Sequence, residues 1–93
     1  DEAHHIEPLP PATVAALERA VLVVPGCLVA QRNDEGLVAH CTTPSGMYTD
    51  DLVLRVEAEA TQVYSASRIG WSDMGVNRER VERVRNELKA LGG

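Results

Sequence analysis

The stretch that decides the fold is Cys27-Leu28-Val29-Ala30-Gln31-Arg32-Asn33-Asp34-Glu35-Gly36-Leu37-Val38-Ala39-His40-Cys41-Thr42-Thr43. Its two flanks, Cys27–Arg32 and Leu37–Thr43, come close to alternating apolar and polar residues, the period of a half-buried strand. The residues between them, Asn33-Asp34-Glu35-Gly36, have hairpin-turn chemistry, with Gly36 expected in the left-handed position. A three-residue loop of Asp34, Glu35 and Gly36 pairs Asn33 with Leu37. That register puts Cys27 and Val29 on one face with Leu37, Ala39 and Cys41, and gives Arg32, His40 and Thr42 to the other. Turn chemistry and hydrophobic pattern agree, so the segment reads as a β-hairpin.

Downstream, Thr43-Pro44-Ser45-Gly46 forms the next turn. A third strand runs from about Tyr48 to Glu57, with Leu52, Leu54 and Val56 alternating against Val53, Arg55 and Glu57. A short acidic turn leads to a fourth strand, Thr61 to Arg68. Gly70 and Gly75 then bracket a tight loop, and a last helix starts near Asn77, a good N-cap residue. Its stripe is Val81, Val84, Leu88 and Leu91, and Gly92-Gly93 closes it. Upstream, residues 1–10 are a polar, proline-bearing extended arm. Pro10-Pro11 opens a helix, because proline suits the first helical turn. Val14, Leu17, Ala20 and Val21 form its apolar stripe, and Pro25-Gly26 ends it. The order is helix, four strands, helix. Short links make the strands an antiparallel meander, and each helix must bury one apolar face. The expected architecture is α+β, a two-layer sandwich of order αββββα in a single domain spanning residues 1–93.

A chain of 93 residues is the size of one domain. Aromatics are scarce (Trp71, Tyr48, Tyr64 and no Phe), so Val, Leu and Ala must build the core. Net charge is −5, with −7 in residues 1–60 and +2 in residues 61–93. An acidic chain does not suit non-specific nucleic-acid binding. The basic excess falls on the last helix among Glu79, Glu82 and Glu87, and reads as a solvated, ion-paired face. No apolar run reaches the length of a membrane span, and no export signal is recognisable. A start at Asp1 without Met points to a trimmed or mature product, with membrane contact expected only through a lost N-terminal anchor.

The segment Tyr64-Ser65-Ala66-Ser67-Arg68-Ile69-Gly70-Trp71-Ser72-Asp73-Met74-Gly75-Val76-Asn77-Arg78-Glu79-Arg80 is unusual in composition. It resembles the C-terminal signature of the bacterial and plastid family called domain of unknown function 1499. The matching positions are Ser65, Ser67, Arg68, Gly70, Ser72, Asp73, Gly75, Asn77, Arg78 and Arg80. Asp50-Asp51 is similar to that family's paired aspartates, and Ile6-Glu7-Pro8-Leu9-Pro10 to its N-terminal arm. The likeness runs from about His4 to Leu91. Two features depart from it: the upstream Pro-Asn-Cys segment of members has no counterpart here, and Tyr64 stands where arginine is common. The family carries no assigned activity. The resemblance implies a fold, a region of interest, and a cell-envelope or lumenal setting.

Arg68, Asp73, Asn77, Arg78 and Arg80 gather where a strand ends and a helix begins. Free helix-start N–H groups and guanidinium forks favour a carboxylate or phosphate. The plainer reading is that Asp73, Asp50 or Asp51 fills that role, so that Arg68 staples the loop internally. Asp50 and Asp51 are consecutive and point to opposite faces of a strand, so they do not form an acid–base pair. One is expected on Arg68 or Arg78 and the other in solvent. Two carboxylates are too few for a cation site. Cys27 and Cys41 sit diagonally on neighbouring strands in this register. They read either as two small buried thiols or as a disulfide of an exported protein. His4-His5 reads as an exposed arm. His40 lies on the outer face, without the nucleophile turn a triad needs. Trp71 is either a core plug or an exposed binding residue.

The sequence thus points to a non-enzymatic binding or accessory module. Its candidate surface is Arg68, Trp71, Asp73, Asn77, Arg78 and Arg80 with Asp50 and Asp51. The ligand would be an unidentified protein or a small anion, with no cofactor, metal or catalytic residue expected. The alternative is a small hydrolase or transferase using Asp50, Asp51, Asp73 and Arg68, which calls for a concave pocket with converging carboxylates. A third reading is an oligomer, because helices on one side of a sheet leave the other face open, with Val38 and Val53 on it.

Overall fold

The computed structural model describes residues 7–42, 46, 49–67 and 74–91. Helix α1 spans Val14–Val23, strands β1 to β4 span Cys27–Asn33, Gly36–Thr42, Thr49–Val56 and Thr61–Ser67, and helix α2 spans Met74–Ala90. The four strands form one sheet in the order β1-β2-β3-β4, and every neighbouring pair is antiparallel. Helix, meander and helix follow in the expected αββββα order.

Both helix starts differ from the sequence expectation. Pro10 and Pro11 precede α1 rather than opening it. Thr13 caps it, with Oγ1 accepting the Ala16 N–H at 3.1 Å. A hydroxyl that satisfies one of the orphan N–H groups fixes a start more firmly than a proline, which only tolerates it. Helix α2 begins at Met74, so Asn77 lies inside its first turn and is not the N-cap.

The hairpin register also differs. Its loop is Asp34-Glu35, two residues long, with Asn33 opposite Gly36. Asn33 Oδ1 accepts the Glu35 N–H at 2.7 Å, an Asx turn that tightens the loop. Gly36 has a φ of 157°, and its role is steric. A Cβ there would meet the Leu54 carbonyl oxygen at 2.0 Å. Continued unbroken, this pairing would set Cys27 against Thr42 and turn it to the outer face. A β-bulge between Val29 and Gln31 prevents that and returns Cys27 to a position directly opposite Cys41. The two-residue loop itself places Arg32 in line with Leu37, on the helix side, where its guanidinium pairs with Glu18 of α1. His40 and Thr42 keep the outer face.

The core lies between the sheet and the helices. From the sheet come Cys27, Leu37, Ala39, Cys41, Leu52 and Leu54. From α1 come Leu17, Ala20 and Val21, and from α2 Val81, Val84 and Leu88. Burying a Leu or Val side chain fully is worth about 1.5–3 kcal/mol, so these residues supply the main drive to fold. Leu91, expected on the stripe, is exposed beyond the helix end. The arm contributes Leu9, which is buried and bridges Thr61 by two main-chain hydrogen bonds of 2.9 Å. Arg85 of α2 donates to the Glu7 and Pro8 carbonyls at 3.1 and 2.8 Å, clamping the arm from above.

Candidate functional site

Cys27, Cys41 and Asp50 form a row on the inner face at the signature end of the sheet, in register with the backbone position of Ser67. The next row inward is Val29, Ala39 and Leu52, in register with the backbone position of Ser65. Across β1 to β3 the inner face therefore changes from apolar to polar and covalent within one strand period, at the end of the sheet where β4 ends.

Cys27 and Cys41 are joined in a disulfide. Thr42 N–H bonds to the Gly26 carbonyl at 2.9 Å, which makes Cys27 and Cys41 a non-hydrogen-bonded pair, the kind whose side chains approach most closely. Their Cα atoms are 4.0 Å apart. Gly26 allows this approach: it has a φ of 83°, and a Cβ there would lie 2.5 Å from the Thr42 carbonyl oxygen. Of the two readings open for the cysteines, the bridge is the one realised. They face each other directly rather than diagonally because of the bulge.

Asp50 and Asp51 leave β3 in opposite directions, as expected of consecutive strand residues. Asp50 points inward and is buried, and Arg80 places Nη1 2.6 Å from its Oδ2. Arg80 is buried too. Asp51 points outward, with its Oδ1 3.5 Å from His40 Nε2 and with both side chains partly exposed. The sequence expectation puts one of the two aspartates, without saying which, on Arg68 or Arg78; Asp50 is on Arg80. Helical geometry explains the difference. Residues 80, 84 and 88 are spaced by four, so Arg80 continues the inward stripe of Val84 and Leu88. Arg78 is turned away and is exposed. A charged residue in phase with an apolar stripe was the available signal for a buried ion pair. Arg85, in phase with Val81, gave the same signal for the arm clamp.

Arg68, Trp71 and Asp73 lie outside the described residues. So do His4, His5 and the rest of the loop between β4 and α2. Asn77 is placed only as part of the first turn of α2. Among the described residues, then, the structure brings together Asp50, Arg80 and the backbone position of Ser67, separates Asp51 onto the outer face, and leaves Arg78 on the rim.

A depression of about 300 Å³ lies at the other end of the sheet, by the hairpin turn, lined by Gln31, Arg32, Glu35, Val53 and Arg55 among others. It does not reach Asp50. Among the described residues no cluster of three or more His, Cys, Asp or Glu side chains could hold a metal ion, and no helix is long and apolar enough to cross a membrane.

A family model described as a protein of unknown function, DUF1499, matches residues 1–88. No curated protein and no solved structure matches the chain.

Proposed function

The chain belongs to the DUF1499 family, and on that premise we propose that it is a non-catalytic binding or accessory module whose working surface is the end of the sheet where β4 passes into α2. One observation carries this reading: the burial of the Asp50–Arg80 pair. A carboxylate and a guanidinium held against each other in the core are neither a general acid and base nor an anion receptor. They form a scaffold that fixes the first two turns of α2 over the sheet. The surface they fix is rimmed by Arg78, which is exposed and makes no ion pair among the described residues. An exposed guanidinium beside a helix start suits an anionic group, either on a small ligand or on an acidic protein segment. Arg68, Trp71, Asp73 and Asn77 belong to the same proposal.

The hydrolase or transferase reading loses support from the divergence of Asp50 and Asp51 to opposite faces, since acid–base work needs both groups within reach of one substrate. The Cys27–Cys41 bridge supports an envelope or lumenal setting, because disulfides persist in oxidising compartments.

The test is a titration of the isotope-labelled protein with phosphate and, separately, with acetate, read by amide chemical shifts. Saturable shifts confined to the first two turns of α2 and the end of β4, lost on Arg78→Ala, support the proposal. Shifts unaffected by Arg78→Ala, no shifts at all, or turnover of ester or phosphoester substrates would overturn it.

A further inference from the structure

Both helices pack on one side of the sheet, and the other side carries an apolar band across three strands. In register, Val38 of β2 lies beside Val53 of β3, and Val53 beside Tyr64 of β4. Leu28 of β1 adds to the band one row away, opposite His40. Leu28 is 69% and Tyr64 55% exposed. Val38 and Val53 are half-buried and stand outside the core cluster. Charges flank the band asymmetrically. On β3 the outward residues are Asp51, Val53 and Arg55 in succession, so an acid and a base sit at equal distances on either side of a valine. Arg55 is exposed and makes no ion pair among the described residues.

We infer that this face is the interface of a homodimer, its occupant being the same face of a second copy. The charge order carries the argument. Place a two-fold axis along the Val38–Val53–Tyr64 row. The two sheets then stack with β3 antiparallel to its counterpart, and Val53 meets Val53 of the second copy. Asp51 falls over Arg55 of the second copy, and Arg55 over its Asp51, so one geometry forms two opposite-charge contacts at once. On β2 the same operation sets His40 over Gly36 of the second copy, a large side chain against none. Isologous interfaces need this self-complementarity. Aligned sheets pack about 10 Å apart, a spacing that Val, Tyr and Leu side chains fill.

The face is small. Four strands about 4.8 Å apart and roughly six residues long offer on the order of 400 Å² per copy. That is the low end for a specific contact, so the dimer is weak and reversible. It uses the side of the sheet opposite the proposed binding surface and stands or falls separately from it.

Sedimentation equilibrium from about 10 μM to about 1 mM covers the range in which an interface of this size dissociates. The expected result is a weight-average mass rising from one chain toward two. Val53→Glu should weaken association at least about tenfold, by burying a charge at the axis. Arg55→Glu alone and Asp51→Arg alone should each remain monomeric, because like charges then face each other. An equimolar mixture of those two variants should associate, since both contacts become opposite-charge again. Thermal melts check that each variant is folded. A single-chain mass over the whole range overturns the inference, as does association that Val53→Glu and Arg55→Glu leave unchanged. The second result would point to another surface, such as the β1 edge.

Discussion

Arg80, in the second turn of α2, holds its guanidinium 2.6 Å from the carboxylate of Asp50 on β3, and both side chains are buried. The contact ties the helix to the sheet at the polar end of the core, where the row from Cys27 to Ser67 offers no leucine or valine to grip.

Removing one partner of this pair deprives the other buried charge of this contact. Asp50→Ala or Arg80→Ala should each cost about 3–5 kcal/mol in urea unfolding. The double variant Asp50→Leu/Arg80→Met should be markedly more stable than either single one, because it removes both charges and fills the space. Single variants within about 1 kcal/mol of the parent would show that the pair is solvated in solution.

The disulfide closes a loop with a sequence separation of 14. Cys27→Ala/Cys41→Ala should therefore destabilise the protein by about 3 kcal/mol and lower Tm by roughly 10–20 °C. Reduction with dithiothreitol should reproduce the loss in the parent protein and leave the double variant unchanged. Equal melting of oxidised and reduced parent protein would contradict this.

The bulge between Val29 and Gln31 sets which residue meets Cys41. Deleting Ala30 removes the extra residue and leaves an unbroken ladder in which Val29 still faces Ala39 and Cys27 still faces Cys41. The bridge should therefore persist, and neither thiol should react with a thiol reagent in native buffer, as in the parent protein. Free thiols in the deletion variant would show that the kink of the bulge, and not the register alone, brings the cysteines together.

This bulge also marks how far the sequence could be read. The period-two pattern and the turn residues identified the hairpin, the meander and the shared face of Cys27 and Cys41. They could not distinguish a three-residue loop from a two-residue loop with a compensating bulge, since both give the cysteines the same face. Gln31, Arg32 and Asn33 change face between them, and the pull of Arg32 toward Glu18 is a tertiary contact with α1. The same limit applies to the candidate site. Asp50 and Asp51 could be assigned to opposite faces from β3 alone. Which arginine answers Asp50 depends on the phase of α2, which places Arg80 inward and Arg78 in solvent. The stripe of Val84 and Leu88 carried the better signal.

Arg85 grips the arm through two carbonyl oxygens. Arg85→Ala should leave the sheet intact while raising hydrogen exchange at the Leu9 and Thr61 amides by at least about tenfold, the mark of local opening. Leu9→Ala should cost about 2–5 kcal/mol through the cavity it leaves. Unchanged exchange at Leu9 in Arg85→Ala would show that the β-bridge alone holds the arm.

The arm has a consequence for the order of assembly on the ribosome. Glu7 and Arg85 are 78 positions apart in sequence. Chains are made from the N-terminus, and contacts between distant positions form only after the intervening chain has been ordered. Leu9 is therefore among the first core residues synthesised and among the last to dock. Until α2 has left the exit tunnel, the arm can make its bridge to Thr61 but lacks the Arg85 clamp. A nascent chain stalled before Arg85 should remain open to proteolysis at the arm, although its four strands are complete.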